Sequence, residues 1–172
     1  KNCYTAKGHE SPSTNKRGSS IFKLAHIMNV QKALDLLLGG SPVVVSGKTF
    51  TSAKLQKIHL TTGEMQYWFH GDDHIWLSID AESEEVVMFE DIDEEVEAID
   101  DVVPYGGEDH ELSVEQSGKV LDEEDEQLDV VQFNDYESHR GQIVRLTEYE
   151  VSEDSVDVAI GRIMTEEEIQ AA

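Results

Sequence analysis

Segment 70–74 places two imidazoles and two carboxylates within five positions. Both groups are ligands for zinc and manganese, so His70, Asp72 and His74 are candidate metal ligands. A complete site would also need a distant ligand such as His59 or His110, and it would suit a metal-dependent hydrolase. The alternative is a solvated hairpin tip without a metal, and the sequence predicts no cofactor.

Trp68 and Trp76, together with Tyr67 and Phe69, make this part of the sequence rich in aromatic residues. Stacked aromatic side chains can bind a base or a sugar, so the two tryptophans are candidate interaction residues. A nucleic acid would also require nearby cations, and this region has none. The alternative is that the aromatic residues form a cross-strand pair and contribute to the core.

The sequence contains no motif of nucleophilic catalysis or phosphate binding. It has no G-x-S-x-G, its single cysteine is Cys3 in a polar stretch, and its glycine pairs lack a following Lys-Ser or Lys-Thr. The acidic runs 91–95 and 122–126 lack the glycine that an EF-hand calcium loop requires. No catalytic residue is therefore assigned, and a role other than catalysis is favoured.

Charge is divided along the chain, whose formal net charge is −24. Residues 1–57 hold 9 basic and 2 acidic residues, whereas residues 58–172 hold 4 and 35. The acidic part should repel nucleic acids and anionic membranes, so a protein partner is expected. Adaptation to high salt would also produce such acidity.

One cysteine excludes an internal disulfide, and no apolar run approaches the roughly 20 residues that span a bilayer. The sequence therefore predicts a soluble, cytoplasmic protein without a transmembrane segment.

The most regular helical pattern covers about residues 29–38. Its apolar residues recur on one helical face, with Asn29 as a possible cap and Gly39-Gly40 as the stop. We expect three parts: a flexible basic leader at 1–20, a helical segment at 21–40 and an acidic β domain at 41–172.

Beyond Pro42 the pattern changes to short runs of β-forming residues separated by turn residues. About nine or ten strands are expected, with a turn at Ser117-Gly118. Residues 93–109 are expected to form either a long loop or a short helix around Glu94–Ile99. Thr165 and Glu168 predict a short C-terminal helix. The predicted fold class is mainly β: an antiparallel β sandwich or open barrel with an N-terminal and a short C-terminal helix.

Several segments resemble an uncharacterised bacterial family catalogued as a domain of unknown function (family 4178), over about residues 40–169. The segments are GKTFT at 47–51, YW at 67–68, DHIWLSI at 73–79, FNDY at 133–136, VRLTEY at 144–149 and GR at 161–162. The resemblance implies a compact, largely β fold. It implies no catalytic residues.

These observations together favour a bacterial, non-catalytic interaction or accessory module. One alternative is an acidic mimic of nucleic acid that blocks a basic DNA- or RNA-binding protein. The other is the metal-dependent hydrolase centred on His70 and His74.

Overall fold

A computed structural model describes residues 30–151 and 155–172. Helix α1 covers residues 30–38, as the apolar periodicity predicts. The chain turns at Gly40, which has φ 77°, and the N–H of Ser41 donates to the carbonyl of Leu36 at 2.8 Å. The expected leader, the earlier part of the helical segment and the Asn29 cap lie outside the described residues.

In the described part of the chain, twelve strands and one 3₁₀ turn follow α1. They are β1 Val43–Val45, β2 Lys48–Phe50, β3 Lys54–Leu60, β4 Met65–His70, β5 Ile75–Asp80, β6 Glu85–Ile92, β7 Val102–Tyr105, β8 Glu108–Leu121, β9 Gln127–Glu137, β10 Ile143–Tyr149, β11 Asp157–Ile163, the 3₁₀ turn Glu166–Glu168 and β12 Ile169–Ala171.

The main sheet closes on itself. Its strand order is β3-β4-β5-β6-β11-β10-β9-β8, and β8 also pairs with β3, which gives an eight-stranded antiparallel barrel with β7 added beside β8. The mainly β prediction is confirmed, but the sandwich and the open barrel are replaced by a closed barrel. The sequence pattern cannot distinguish these forms, because closure depends on pairing between strands that are far apart in the chain.

β8 continues through the position where a turn was predicted, so the prediction of a turn at Ser117-Gly118 is wrong. Gly118 pairs with Leu60 of β3 at the closure of the barrel, and a β-carbon on Gly118 would lie 2.6 Å from the carbonyl oxygen of His59. The glycine therefore permits a close approach of two strands, which is a known use of glycine within a sheet.

The C-terminal segment differs from the expected helix. Glu168 accepts a hydrogen bond from the N–H of Thr165 at 2.9 Å, as the capping pattern predicts, but the helical structure is only a 3₁₀ turn. The chain then extends into β12, which pairs with β1 in a three-stranded sheet of order β12-β1-β2.

Helix α1 and the three-stranded sheet cover the outer face of β4–β6. Leu34 and Leu37 of α1 pack in one buried cluster with Val43, Phe69 and Leu77. β4 and β5 are therefore buried on both faces, which explains their nearly continuous apolar sequence.

A second outer layer covers β9–β11. Val103 of β7 and Val96 of the preceding segment pack with Val144 and Val158. Segment 93–98 has no helical structure, so the alternative of a short helix around Glu94–Ile99 is wrong. The long loop predicted over residues 93–109 is only partly right, because β7 and the start of β8 lie within that range.

Among the described residues, no helix is both long enough and apolar enough to cross a membrane.

Candidate functional site

The predicted metal ligands lie around the β4–β5 turn. Nε2 of His70 donates to Oε1 of Gln56 at 2.7 Å, and its ring stacks on Trp76 with centroids 5.2 Å apart. Asp72 is exposed in the turn, and His74 has φ 63°.

The two more distant candidates lie elsewhere. His59 is exposed on β3. His110 is fully buried beside β7, where its ring nitrogens contact the carbonyl of Val103 and Oε1 of Gln142 at 3.2 and 3.0 Å. In residues 30–151 and 155–172, no three His, Cys, Asp or Glu side chains are grouped to hold a metal ion.

The candidate interaction residues Trp68 and Trp76 lie inside the barrel. They are only 1% and 4% exposed, and their ring centroids are 5.2 Å apart. Trp68 also meets Phe133 edge-on at 5.2 Å, and Trp76 stacks on Phe89 at 4.4 Å. They belong to an interior aromatic cluster and offer no exposed surface to a partner.

A buried ion pair lies within this cluster. Nε and Nη2 of Arg145 donate to the two carboxylate oxygens of Asp135 at 2.7 and 2.8 Å, across the β9–β10 pairing. The Arg145 and Asp135 side chains are only 4% and 9% exposed. Such a pair compensates the cost of burying each charge, because both retain strong hydrogen bonds.

The guanidinium of Arg145 is also enclosed by aromatic rings. Its Cζ lies 4.3 Å from the centroid of Phe133, 4.5 Å from that of Phe89 and 5.2 Å from that of Trp68. Cation–π attraction strengthens in such a desolvated setting. The third guanidinium nitrogen, Nη1, is buried and has no hydrogen-bond partner in residues 30–151 and 155–172.

The mouth cavity opens at the end of the barrel that carries the β3–β4 and β5–β6 turns. It has a volume of about 230 Å³ and is lined by Gln66, Ser78, Gln116 and Arg145, among others. Oε1 of Gln116 is a second buried atom without a hydrogen-bond partner. The cavity therefore has an unmatched donor on one lining side chain and an unmatched acceptor on another.

Carboxylates surround the mouth cavity. Asp80 and Glu85 line it together with Asp135. Burial, followed by the charges of Asp80 and Asp135, raises the pKa of Glu85. Negative charge is therefore concentrated at this rim, although the single cation in the cavity, Arg145, is already paired with Asp135.

The acidic cleft lies at the opposite end of the barrel. It has a volume of about 780 Å³ and is formed by the end of β6, the segment that follows it and the start of β11. Its six carboxylates belong to Asp91, Asp93, Glu94, Glu95, Glu97 and Asp157. His74 lines one side.

Burial also changes proton affinities near the acidic cleft. It raises the pKa of Asp91, although a hydrogen bond of 2.8 Å from Nε1 of Trp76 opposes the change. Burial raises the pKa of Asp157 and lowers that of His70 to about 4, with Lys54 adding to the second effect. At this end of the barrel, burial therefore makes an isolated charge less favourable on each of these three side chains.

The sequence patterns do not single out Arg145, Asp135 or Gln116. Each lies in phase with apolar interior residues: Asp135 follows Phe133 by two positions on β9, and Arg145 follows Ile143 on β10. The available signal in the sequence is a charged residue at a strand position that lies two residues from an apolar, inward-facing residue. This signal is weak because the chain has 37 acidic residues, so charged residues occur at many strand positions. In addition, the alternation of side chains along a strand is the same whether one face lines a barrel interior or a sandwich core.

Comparison of the chain with protein-family models, curated proteins and solved structures gave no significant match. The resemblance to family 4178 therefore stays a prediction.

Proposed function

We propose that the protein is a cytoplasmic, non-catalytic interaction module that binds a basic segment of a protein partner in the acidic cleft. The observation that carries this proposal is the concentration of six carboxylates in one cleft of about 780 Å³. A lysine- or arginine-rich segment would relieve the repulsion between these groups, so complementary charge would contribute to both association rate and specificity.

The surrounding charges support a basic partner. Among the basic residues after position 57, Arg140, Arg145 and Arg162 pair with Glu108, Asp135 and Glu168. Most of the cationic side chains in residues 58–172 therefore already pair with carboxylates outside the acidic cleft. The raised pKa values of Asp91 and Asp157 also favour a bound cation, because a nearby positive charge would stabilise both carboxylates.

The proposal can be tested with protein purified together with its partner from the native host. The neutralised variant Asp93→Asn/Glu95→Gln changes two exposed residues of the acidic cleft. The matched control, Glu123→Gln/Glu124→Gln, removes the same charge from the exposed β8–β9 turn. We expect a stoichiometric partner with the wild type and the control, and at least a tenfold loss of affinity with the cleft variant.

The salt dependence of binding and competition by DNA are two further tests of the proposal. Binding should weaken steeply between 50 and about 200 mM salt if exposed charges carry it. The acidic-cleft proposal would be overturned if the cleft variant and the control variant bound the partner with equal affinity. It would also be overturned if salt did not affect the binding. Competition by duplex DNA for the same partner would identify the protein as a nucleic-acid mimic.

A further inference from the structure

The mouth cavity carries a second inference, independent of the acidic cleft at the other end of the barrel. Eight-stranded barrels have interiors just wide enough to be filled by side chains or to hold one small ligand. Here the aromatic cluster and the Arg145–Asp135 pair fill the centre, and the cavity of about 230 Å³ lies between them and one mouth. This volume is below the usual range for drug-sized ligands, about 300–1,000 Å³.

Two orphaned atoms indicate which chemistry would fit. Among the described residues, Nη1 of Arg145 is a hydrogen-bond donor without an acceptor, and Oε1 of Gln116 is an acceptor without a donor. Arg145 is only 3% exposed, and both orphaned atoms belong to side chains that line the cavity. A buried polar atom left without a partner is destabilising, and a ligand that offers both a carbonyl oxygen and an N–H would satisfy both atoms.

The charge of the cavity limits the ligand further. Asp135 already neutralises Arg145, while Asp80 and Glu85 add negative charge at the rim. A carboxylate or phosphate ligand would therefore meet repulsion without an available cation. Phe133, Val87 and Val114 supply apolar lining beside the polar atoms. These features fit a compound that carries no negative charge and has a small apolar part and one polar head.

We propose that the mouth cavity binds a small uncharged compound with a primary amide or urea group. Its carbonyl oxygen accepts a hydrogen bond from Nη1 of Arg145, and its N–H donates to Oε1 of Gln116. The bidentate pair with Asp135 holds the guanidinium in place before the ligand arrives, which lowers the entropy cost of binding.

Benzamide is a suitable probe because it joins an amide to a small apolar ring, and benzoate is its anionic counterpart. Titration of isotope-labelled protein by NMR would follow the backbone amides of Ser78 and Gln116 at the cavity, and those of Asp93 and Asp157 at the acidic cleft. We expect saturable changes at the cavity with benzamide, no changes at the cleft, and at least tenfold weaker binding of benzoate.

Gln116→Met removes the orphaned acceptor while keeping the length of the side chain, and Glu115→Gln is the matched control on the exposed side of β8. We expect at least a tenfold weaker dissociation constant for benzamide in Gln116→Met and no change in Glu115→Gln, with both variants folded by thermal melting. No saturable binding of benzamide would show that the cavity holds only water. Equal binding of benzoate, or equal binding of benzamide by Gln116→Met, would overturn the proposal by showing that the cavity does not recognise an amide through Gln116. None of these results depends on whether the acidic cleft binds a partner.

Discussion

The ring of Phe89 packs directly against the backbone of Gly161 inside the barrel. A β-carbon at position 161 would lie 2.4 Å from Cδ1 and 2.7 Å from Cε1 of this ring. The two residues face each other on the paired strands β6 and β11. The absence of a side chain at 161 therefore makes room for the ring that stacks on Trp76.

Gly161→Ala should destabilise the protein by about 1–3 kcal/mol, because the added methyl overpacks a fully enclosed ring. The free energy of unfolding in urea is the measurement. The double variant Gly161→Ala/Phe89→Leu should lose less than the sum of the two single variants, because the smaller side chain removes the clash. Strict additivity would contradict direct contact between these residues.

The Arg145–Asp135 pair should show a strong asymmetry between single and double substitution. Arg145→Met leaves the Asp135 carboxylate buried without its partner, so a loss of about 3–5 kcal/mol is expected. Arg145→Met/Asp135→Leu replaces both charges by apolar groups and should be more stable than Arg145→Met alone. A double variant that is less stable than the single one would contradict the expected cost of leaving the Asp135 carboxylate buried without its partner.

Helix α1 should depend on packing for its stability, because nine residues form only a marginal helix in isolation. Leu34 is 3% exposed against the outer face of the barrel, whereas Leu38 is 44% exposed. Leu34→Ala should therefore cost about 2–5 kcal/mol, and Leu38→Ala should cost clearly less. Equal losses in chemical denaturation would mean that α1 does not dock through Leu34.

Thermal stability should rise with ionic strength. Residues 58–172 hold 35 acidic and 4 basic residues, and salt shortens the Debye length from about 10 Å at 0.1 M to about 3 Å at 1 M. Screening should therefore weaken the repulsion between carboxylates on the folded surface. The melting temperature in sodium chloride is the measurement, and a flat or falling trend would show that self-repulsion has little effect.

The helix and most strands could be predicted because their signals are local. The period of apolar residues in 30–38 and the turn residues between β3, β4, β5 and β6 specify each element within a few positions. The closed barrel could not be predicted, since it depends on the pairing of β3 with β8, about 60 residues apart. The Ser117-Gly118 pair predicts a turn because glycine is uncommon within strands.

The candidate site was harder to predict for a related reason. The spacing of His70 and His74 indicates a candidate metal site, but the side chain of His70 turns inward and hydrogen-bonds to Gln56. Arg145 and Gln116 meet at one cavity only because the barrel closes, so their relationship has no counterpart in the linear sequence.

His70 should make the protein sensitive to acid. Burial and the neighbouring Lys54 lower the pKa of His70 from 6.5 to about 4 in the folded state. Between these pH values the unfolded chain takes up a proton that the folded protein excludes, so the contribution of His70 to stability falls as the pH falls from about 6.5 to 4.

His70→Gln should remove this part of the pH dependence. The free energy of unfolding of the wild type relative to His70→Gln should fall by about 1–3 kcal/mol between pH 7.5 and 4, a range that allows for the partial exposure of the ring. His139→Gln, which changes an exposed histidine, is the control.

The comparison between variants is needed because the raised pKa values of Glu85, Asp91 and Asp157 act in the opposite direction. These carboxylates take up protons more readily when folded, so their contribution to stability rises as the pH falls, and it is shared by all three proteins. The difference between wild type and His70→Gln therefore isolates the histidine. Parallel pH profiles for these two proteins would show that His70 becomes protonated as readily in the folded barrel as in the unfolded chain.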